Sequence, residues 1–239
     1  MARAVLFIVN DPIATAGMLE DAFAANGFDV HTFDVVPPSR VDDPALDVTF
    51  PDPQDYDVVV PLGARWPVYD ATLLDCWVGA EIRMLRAAHA AGVATLGVCF
   101  GGQLLAAAHG GSVTRSATTE LGWIDHHTDD SALVPPGPWF QWHFDCWTVP
   151  PGATEIARTP AASQAFVLGR SLALQFHPEL DQALLERWIA DDMEGDIAQV
   201  GLDEHELRMR TREVAADARR RVHQLLRGFI DRVDAAGRR

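Results

Sequence analysis

The heptapeptide Gly97-Val98-Cys99-Phe100-Gly101-Gly102-Gln103 constrains this chain more than any other stretch. Ahead of it, Ala94-Thr95-Leu96-Gly97-Val98 has the length and composition of a buried strand, and behind it residues 103–109 read as a helix. Cys99 is therefore expected on the sharp turn between them. Such an elbow lifts a thiol clear of the sheet and sets it at a helix N-terminus, where free N–H groups and the dipole favour a thiolate. Far downstream, Gln175-Phe176-His177-Pro178-Glu179 puts an imidazole and a carboxylate two residues apart at a strand end. A base that serves a nucleophile and is itself held by an acid is the logic of a Cys99-His177-Glu179 triad.

The flanking pattern supplies a frame for that elbow. Residues 5–9 are expected as a buried strand, 13–23 as a helix closed by Asn26-Gly27, 28–35 as a second strand and 56–60 as a third, after a Pro- and Asp-rich loop over 37–55. A helix from about residue 76 to 91, ended by Gly92, leads into the nucleophile strand. This alternation predicts an α/β fold, a doubly wound and mostly parallel sheet flanked by helices, with ligand at the carboxyl ends of its strands. After Gly110-Gly111 the pattern shortens to strands at 112–114, 121–124, 139–142, 165–168 and 172–176, which suits small antiparallel hairpins.

From Leu180 onward the pattern is helical, with one break around Gly195 to Gly201, so residues 1–190 are expected as one domain and 191–239 as a helical C-terminal extension. Near the end Ala218, Val222, Leu225, Leu226, Phe229 and Val233 form an apolar stripe beside arginines. It is expected either to pack on the parent domain or to dock a second chain, in a homodimer or on a synthase partner.

Composition narrows the setting. No apolar run reaches the roughly 18 to 20 residues of a membrane span, and the N-terminus reads as a first strand rather than a signal peptide. Three cysteines without framework spacing fit a reducing compartment, so a cytoplasmic protein is expected. Neither a metal nor a cofactor is expected; His126-His127 with Asp125 and Asp129 come nearest to a metal cluster and read better as a solvated turn. The formal charge of −15 divides into −18 over residues 1–202 and +3 over 203–239, where every basic residue is arginine. The body repels nucleic acid, and the tail lacks the aromatic interleaving that would bind it.

The elbow and the His-Pro-Glu segment together resemble the class I glutamine amidotransferases, whose signature is Gly-x-Cys-x-Gly-x-Gln and a distant His-Pro-Glu. Residues 150–154, Gln164-Ala165-Phe166 and Trp142-His143-Phe144-Asp145 are similar to the stand-alone branch related to the amidotransferase domain of GMP synthase, and the likeness covers roughly residues 3 to 190. The resemblance implies a flavodoxin-like fold, glutamine as substrate and a γ-glutamyl thioester on Cys99. Oxyanion donors would be the N–H of Phe100 and one from the loop after the third strand. There the family's Gly-Gly-Pro is replaced so that Ala64 takes the donating glycine's place and Arg65 the proline's. A Cβ penalises positive φ, which puts the loop geometry in question; a less organised hole would mean weak basal glutaminase activity until a partner or substrate rearranges the loop.

Gly63, Gln103, His143, Phe144 and Asp145 are implied in substrate binding, with Phe144 where the family has glycine and Asp145 facing the α-ammonium. Alternatively, His143 and Asp145 hold a hairpin together. Glu120 resembles a family position without an assignable role. Three functions stay open: a glutaminase that hands ammonia to an acceptor on another chain, since no synthetase segment is present; a γ-glutamyl hydrolase acting on γ-glutamyl amines or peptides; and a non-catalytic regulatory or binding subunit.

Overall fold

Along β1 (Arg3–Val9) the side chains divide between two cores: Val5, Phe7 and Val9 face one, Leu6 and Ile8 the other. β3 (Val58–Pro61), β4 (Ala94–Val98) and β10 (Ser171–Leu174) are likewise buried along their whole length. Strands apolar on both faces require helices on both sides, and crossovers through helices make them parallel. The computed structural model, which describes residues 2–192 and 195–237, has this arrangement. α1 (Gly17–Ala25) and α7 (Glu204–Ala236) cover one face, and α3 (Trp77–Ala90) and α4 (Phe100–Ala108) cover the other.

The main sheet adds β2 (Phe28–Asp34), β6 (His127–Thr128), β8 (Thr154–Arg158) and β9 (Ser163–Leu168), in the order β2-β1-β3-β4-β10-β9-β8-β6. Pairing is parallel from β2 to β10 and antiparallel beyond. The carboxyl ends of β1, β3, β4 and β10 thus open on one side of the sheet.

Several boundaries differ from the sequence expectation. α1 begins at Gly17 rather than residue 13, because a turn after β1 intervenes, and α4 begins at Phe100 rather than Gln103, directly after the elbow. The expected short strands at 112–114 and 121–124 are one strand, β5 (Val113–Asp125), paired in a separate sheet with β7 (Pro138–Trp147). Exposed residues at its middle and a register shift between Arg115 and Glu120 break the period-two pattern, so one strand reads as two. β8 and the single-turn α2 (Ala71–Leu74) had no periodic signal.

The C-terminal stripe packs inward. Ala218, Val222, Leu225, Leu226, Phe229, Ile230 and Val233 of α7 belong to the same core as β1, β3 and β4, so the stripe is not the surface on which a second copy would dock. Asp203 caps the helix, accepting from the Glu206 N–H at 3.0 Å, and Gly237 ends it with φ 62°. Each buried leucine or phenylalanine contributes about 1.5–3 kcal/mol, far more than the exposed pair of Arg219 with Asp21. Arg238 and Arg239 of the basic tail lie outside the described residues. Between α5 (Gln182–Ala190) and α7, α6 (Asp196–Gln199) forms a single turn within the expected break. Among the described residues, no helix is long and apolar enough to cross a membrane.

Candidate active site

Cys99 sits between β4 and α4 with φ 51° and ψ −108°, and among the described residues no other non-glycine residue has positive φ. Strain of this kind costs about 1–3 kcal/mol and persists only where surrounding packing imposes it. Here the packing is steric. A Cβ on Gly101 would stand 2.0 Å from the Pro61 carbonyl oxygen, and one on Gly97 2.5 Å from that of Gly101. The elbow glycines let α4 press against the ends of β3 and β4, and the Cys99 N–H is held by the Leu174 carbonyl at 2.7 Å. Cys99 is buried, while Cys76 and Cys146 are partly exposed and all three are free thiols.

The segment after β10 carries the imidazole to the elbow. The His177 N–H donates to Phe140 O at 2.8 Å, and its Nδ1 donates to Glu179 Oε1 at 2.7 Å. Both side chains are buried, and Trp188 of α5 stacks edge-on against the ring at 4.7 Å. Glu179 is fixed by its main chain, whose carbonyl accepts from the Met18 N–H at 2.9 Å; any Cβ on Gly17 would come within 2.2 Å of that oxygen. Burial pushes the His177 imidazolium down, but the Glu179 carboxylate and then the Cys99 sulfur outweigh it, raising the group to about 10. Gln175 adds a contact the sequence did not single out, its Nε2 lying 3.8 Å from the Cys99 sulfur.

Gly63 closes the group from the β3 side. A Cβ there would lie 3.2 Å from His177 Cε1 and 3.7 Å from Cys99 Cβ, so a side chain at this position would press on the imidazole. Ala64 does not have positive φ, so its Cβ imposes no backbone penalty there. The next residue explains how the loop is held without the family's proline. Arg65 grips the buried Asp11 through Nε at 2.7 Å and Nη2 at 3.0 Å, its own N–H donates to Asp11 Oδ2 at 3.2 Å, and it also reaches Asp191 at 2.9 Å. A bidentate guanidinium on a carboxylate fixes orientation as well as distance. The Phe100 N–H stands in the first turn of α4, where no carbonyl one turn back serves it.

A cavity of about 490 Å3 opens over these groups, lined by Cys99, His177, Gly63, Ala64, Gln103 and Asp145 and continuing past Trp142 and Trp188 to Asp191 and Asp196. Gln103 is buried, with Nε2 3.4 Å from Gln175 Oε1. Asp145 accepts from the Tyr69 hydroxyl at 3.1 Å, and Phe144 lies under the Arg115 guanidinium at 4.5 Å. His143 lines the cavity, but its ring is engaged within the β5-β7 pair: Nδ1 donates to Asp145 O at 3.0 Å and Nε2 is 3.2 Å from Glu120 Oε2. That is the hairpin-holding arrangement.

Glu120, which spacing left without a role, anchors this buried polar layer. Gln164 donates to it at 2.6 Å and in turn accepts from Gln141 at 2.9 Å. Burial alone would raise Glu120; the facing His143 outweighs it and holds the carboxyl below its ordinary range. His126 and His127 face different ways. His126 is buried against Gln141 at 2.7 Å, its proton affinity lowered to about 4 by burial, whereas His127 is exposed beside Asp129. Among the described residues no group of three or more His, Cys, Asp or Glu is placed to hold a metal ion.

Comparison with known proteins gives the family and the fold. The family glutamine amidotransferase class-I matches residues 32–192, and the chain belongs to that family. It is similar to the glutamine-hydrolysing GMP synthases of Nitrosomonas eutropha, 32% identical over 128 residues covering 47% of this chain and 25% of the relative, and of Aeropyrum pernix, 34% identical over 110 residues covering 42% and 21%. The aligned region thus spans a quarter or less of these relatives' length. Two solved structures share the fold. A glutamine amidotransferase from Thermotoga maritima has a TM-score of 0.82 at 24% identity, over 97% of this chain and 99% of that one. A glutamine amidotransferase from Methylobacillus flagellatus has a TM-score of 0.83 at 22% identity, over 97% and 96%.

Proposed function

We propose that this chain hydrolyses the γ-carboxamide of glutamine to glutamate and ammonia, and that the ammonia serves an acceptor enzyme on another chain. The observation that carries the reading is a buried His177–Glu179 pair at 2.7 Å converging with the strained Cys99 on one cavity. In this mechanism the Cys99 thiolate attacks the γ-carbonyl carbon, and the resulting oxyanion is met by the N–H groups of Ala64 and Phe100. His177, holding the thiol proton, delivers it to the nitrogen as the C–N bond breaks and ammonia leaves. Water then attacks the γ-glutamyl thioester, His177 takes its proton, and the second tetrahedral intermediate expels the thiolate with glutamate. Glu179 keeps the proton on Nδ1 and stabilises the imidazolium. Asp145 at the cavity wall is suited to the α-ammonium of free glutamine, with Gly63 and Gln103 lining the γ-amide end and Phe144 the rim.

An acceptor for the ammonia is supported by the relatives, whose name couples glutamine hydrolysis to GMP synthesis. One observation favours a second reading. Beyond the triad the cavity is also lined by Trp142, Trp188, Asp191 and Asp196, and its volume of about 490 Å3 has room for a leaving group bulkier than ammonia, as a γ-glutamyl hydrolase would need. The deciding experiment compares ammonia release from glutamine with amine release from γ-glutamyl amines. Cys99→Ala should lower turnover by about 10³-fold or more, and a diazo-ketone analogue of glutamine should label Cys99 but neither Cys76 nor Cys146. Preferred turnover of γ-glutamyl amines would select the second reading, and an undiminished Cys99→Ala variant would overturn both.

A further inference from the structure

Glu81 of α3 is fully buried and takes no part in the chemistry above. Its Oε1 lies 3.4 Å from Asn10 Nδ2, and the same Nδ2 donates to the Leu62 carbonyl at 3.2 Å. Asn10 is itself buried at the end of β1, and the Leu62 N–H is tied to Ile8 O at 3.0 Å. The Leu62 carbonyl belongs to the Leu62–Gly63 peptide, one peptide ahead of the one that carries the Ala64 N–H, so fixing it fixes where the loop leading to that donor starts. Two oxygens in this cluster lack a partner: Asn10 Oδ1 and Glu81 Oε2. An ionised Glu81 would leave both without a donor and place a bare charge in the interior. A protonated carboxyl satisfies both, its hydroxyl donating to Asn10 Oδ1 while its carbonyl oxygen accepts from Nδ2. Burial keeps that proton in place, raising the carboxyl to about 8 against the opposing Asn10 hydrogen bond.

We propose that Asn10 and Glu81 are positioning residues for the oxyanion loop: a cyclic acid–amide pair that clamps the Leu62 carbonyl and so anchors the start of the loop that presents the Ala64 N–H to the cavity. The proposal rests on the reading above for the role of Ala64, and goes beyond it in naming what holds that donor in place. Neither residue touches substrate. The pair holds the Leu62 end of the loop and the Arg65–Asp11 grip holds its other end, so the loop is tied at both ends.

The test uses the full chain and three reagents: glutamine, p-nitrophenyl acetate, which acylates Cys99 through an oxyanion without needing the glutamine pocket, and iodoacetamide, which alkylates it without one. Asn10→Ala and Glu81→Leu should lower kcat and the acetate burst rate by about 10- to 100-fold, less than outright loss of an oxyanion donor. KM and the alkylation rate should stay within about threefold. Glu81→Gln, whose amide can make the same two hydrogen bonds, should recover most of the rate. If Glu81→Leu does not fold, Asn10→Ala decides. A folded Asn10→Ala with native acylation, a parallel fall in alkylation, or a Glu81→Gln variant as impaired as Glu81→Leu would overturn the proposal. A wild-type chain inert to glutamine whose acetate burst still depends on Asn10 would sink the glutaminase reading and leave this one standing.

Discussion

Cys99 and Ala64 face each other across the cavity and are held by different means. On the elbow side the constraint is main-chain contact: Gly97 and Gly101 lie so close to neighbouring carbonyls that no side chain fits. On the loop side it is side-chain chemistry, with Arg65 on Asp11 and Asp191, and Asn10 on Leu62. A steric wall is close to all-or-none, because atoms cannot overlap. A wall of hydrogen bonds and ion pairs is graded, since each can be weakened singly. The place of Cys99 is therefore fixed once the fold forms, whereas the loop after β3 can be tuned.

The largest effect should come from the steric side. Gly101→Ala would drive a Cβ into the Pro61 carbonyl, and a loss of about 3 kcal/mol or more in urea denaturation is expected, together with loss of turnover. A native midpoint would show that the elbow relaxes and would break the contrast. Next, Arg65→Ala strands the carboxylate of Asp11, which is only 1% exposed. Removing one partner of so buried a pair costs about 3 kcal/mol, and kcat should fall while the Cys99 alkylation rate holds. Equal loss of both would mean that the two walls are not separable.

Alkaline pH should loosen the site in two windows. His177 binds its proton more tightly folded than unfolded, so its contribution is complete below about pH 6.5 and is lost as pH rises through about 10. Glu81 follows the same sign from about 4.5 through about 8. Urea midpoints should therefore fall with rising pH. Glu179→Gln should flatten the upper window by removing the carboxylate that raises His177, and Glu81→Gln the lower. A Glu81→Gln profile superimposable on wild type would show that Glu81 does not titrate there. The smallest effect is expected at the rim, where Tyr69, 44% exposed, donates to Asp145. Tyr69→Phe should weaken glutamine binding by about 1 kcal/mol or less, seen in KM and not in kcat. A larger effect on kcat would place Tyr69 in the chemistry.

The elbow was legible because one contiguous segment carries the whole constraint: strand, turn and helix follow each other, and the glycines stand where the backbone must crowd. His177 and Glu179 were legible for the same reason, two positions on one turn. Ala64 was legible as a position and misread as a conformation, because its φ is set by Arg65 finding Asp11 some fifty residues away. Asn10 and Asp11 stood at the end of a buried parallel strand, where ligand sites form, and that place was the available signal for them. Glu81 and Trp188 looked like ordinary members of amphipathic helices. The apolar stripe of α7 was plain in its periodicity, but periodicity names a buried face and not the surface that buries it.

By itself, then, the order of residues determined the alternating strands and helices, the turn that bears the sulfur and the imidazole–carboxylate pair, because each depends on neighbours within a few positions. Tertiary structure alone decided that four strand ends meet at one cavity, that α7 closes the sheet on one face, and that the loop after β3 is tied from β1, α3 and the end of α5. The physical reason is range: backbone sterics and hydrophobic periodicity act locally, whereas burial that keeps a proton on Glu81, or an ion pair that fixes Arg65, exists only once distant segments have excluded water between them.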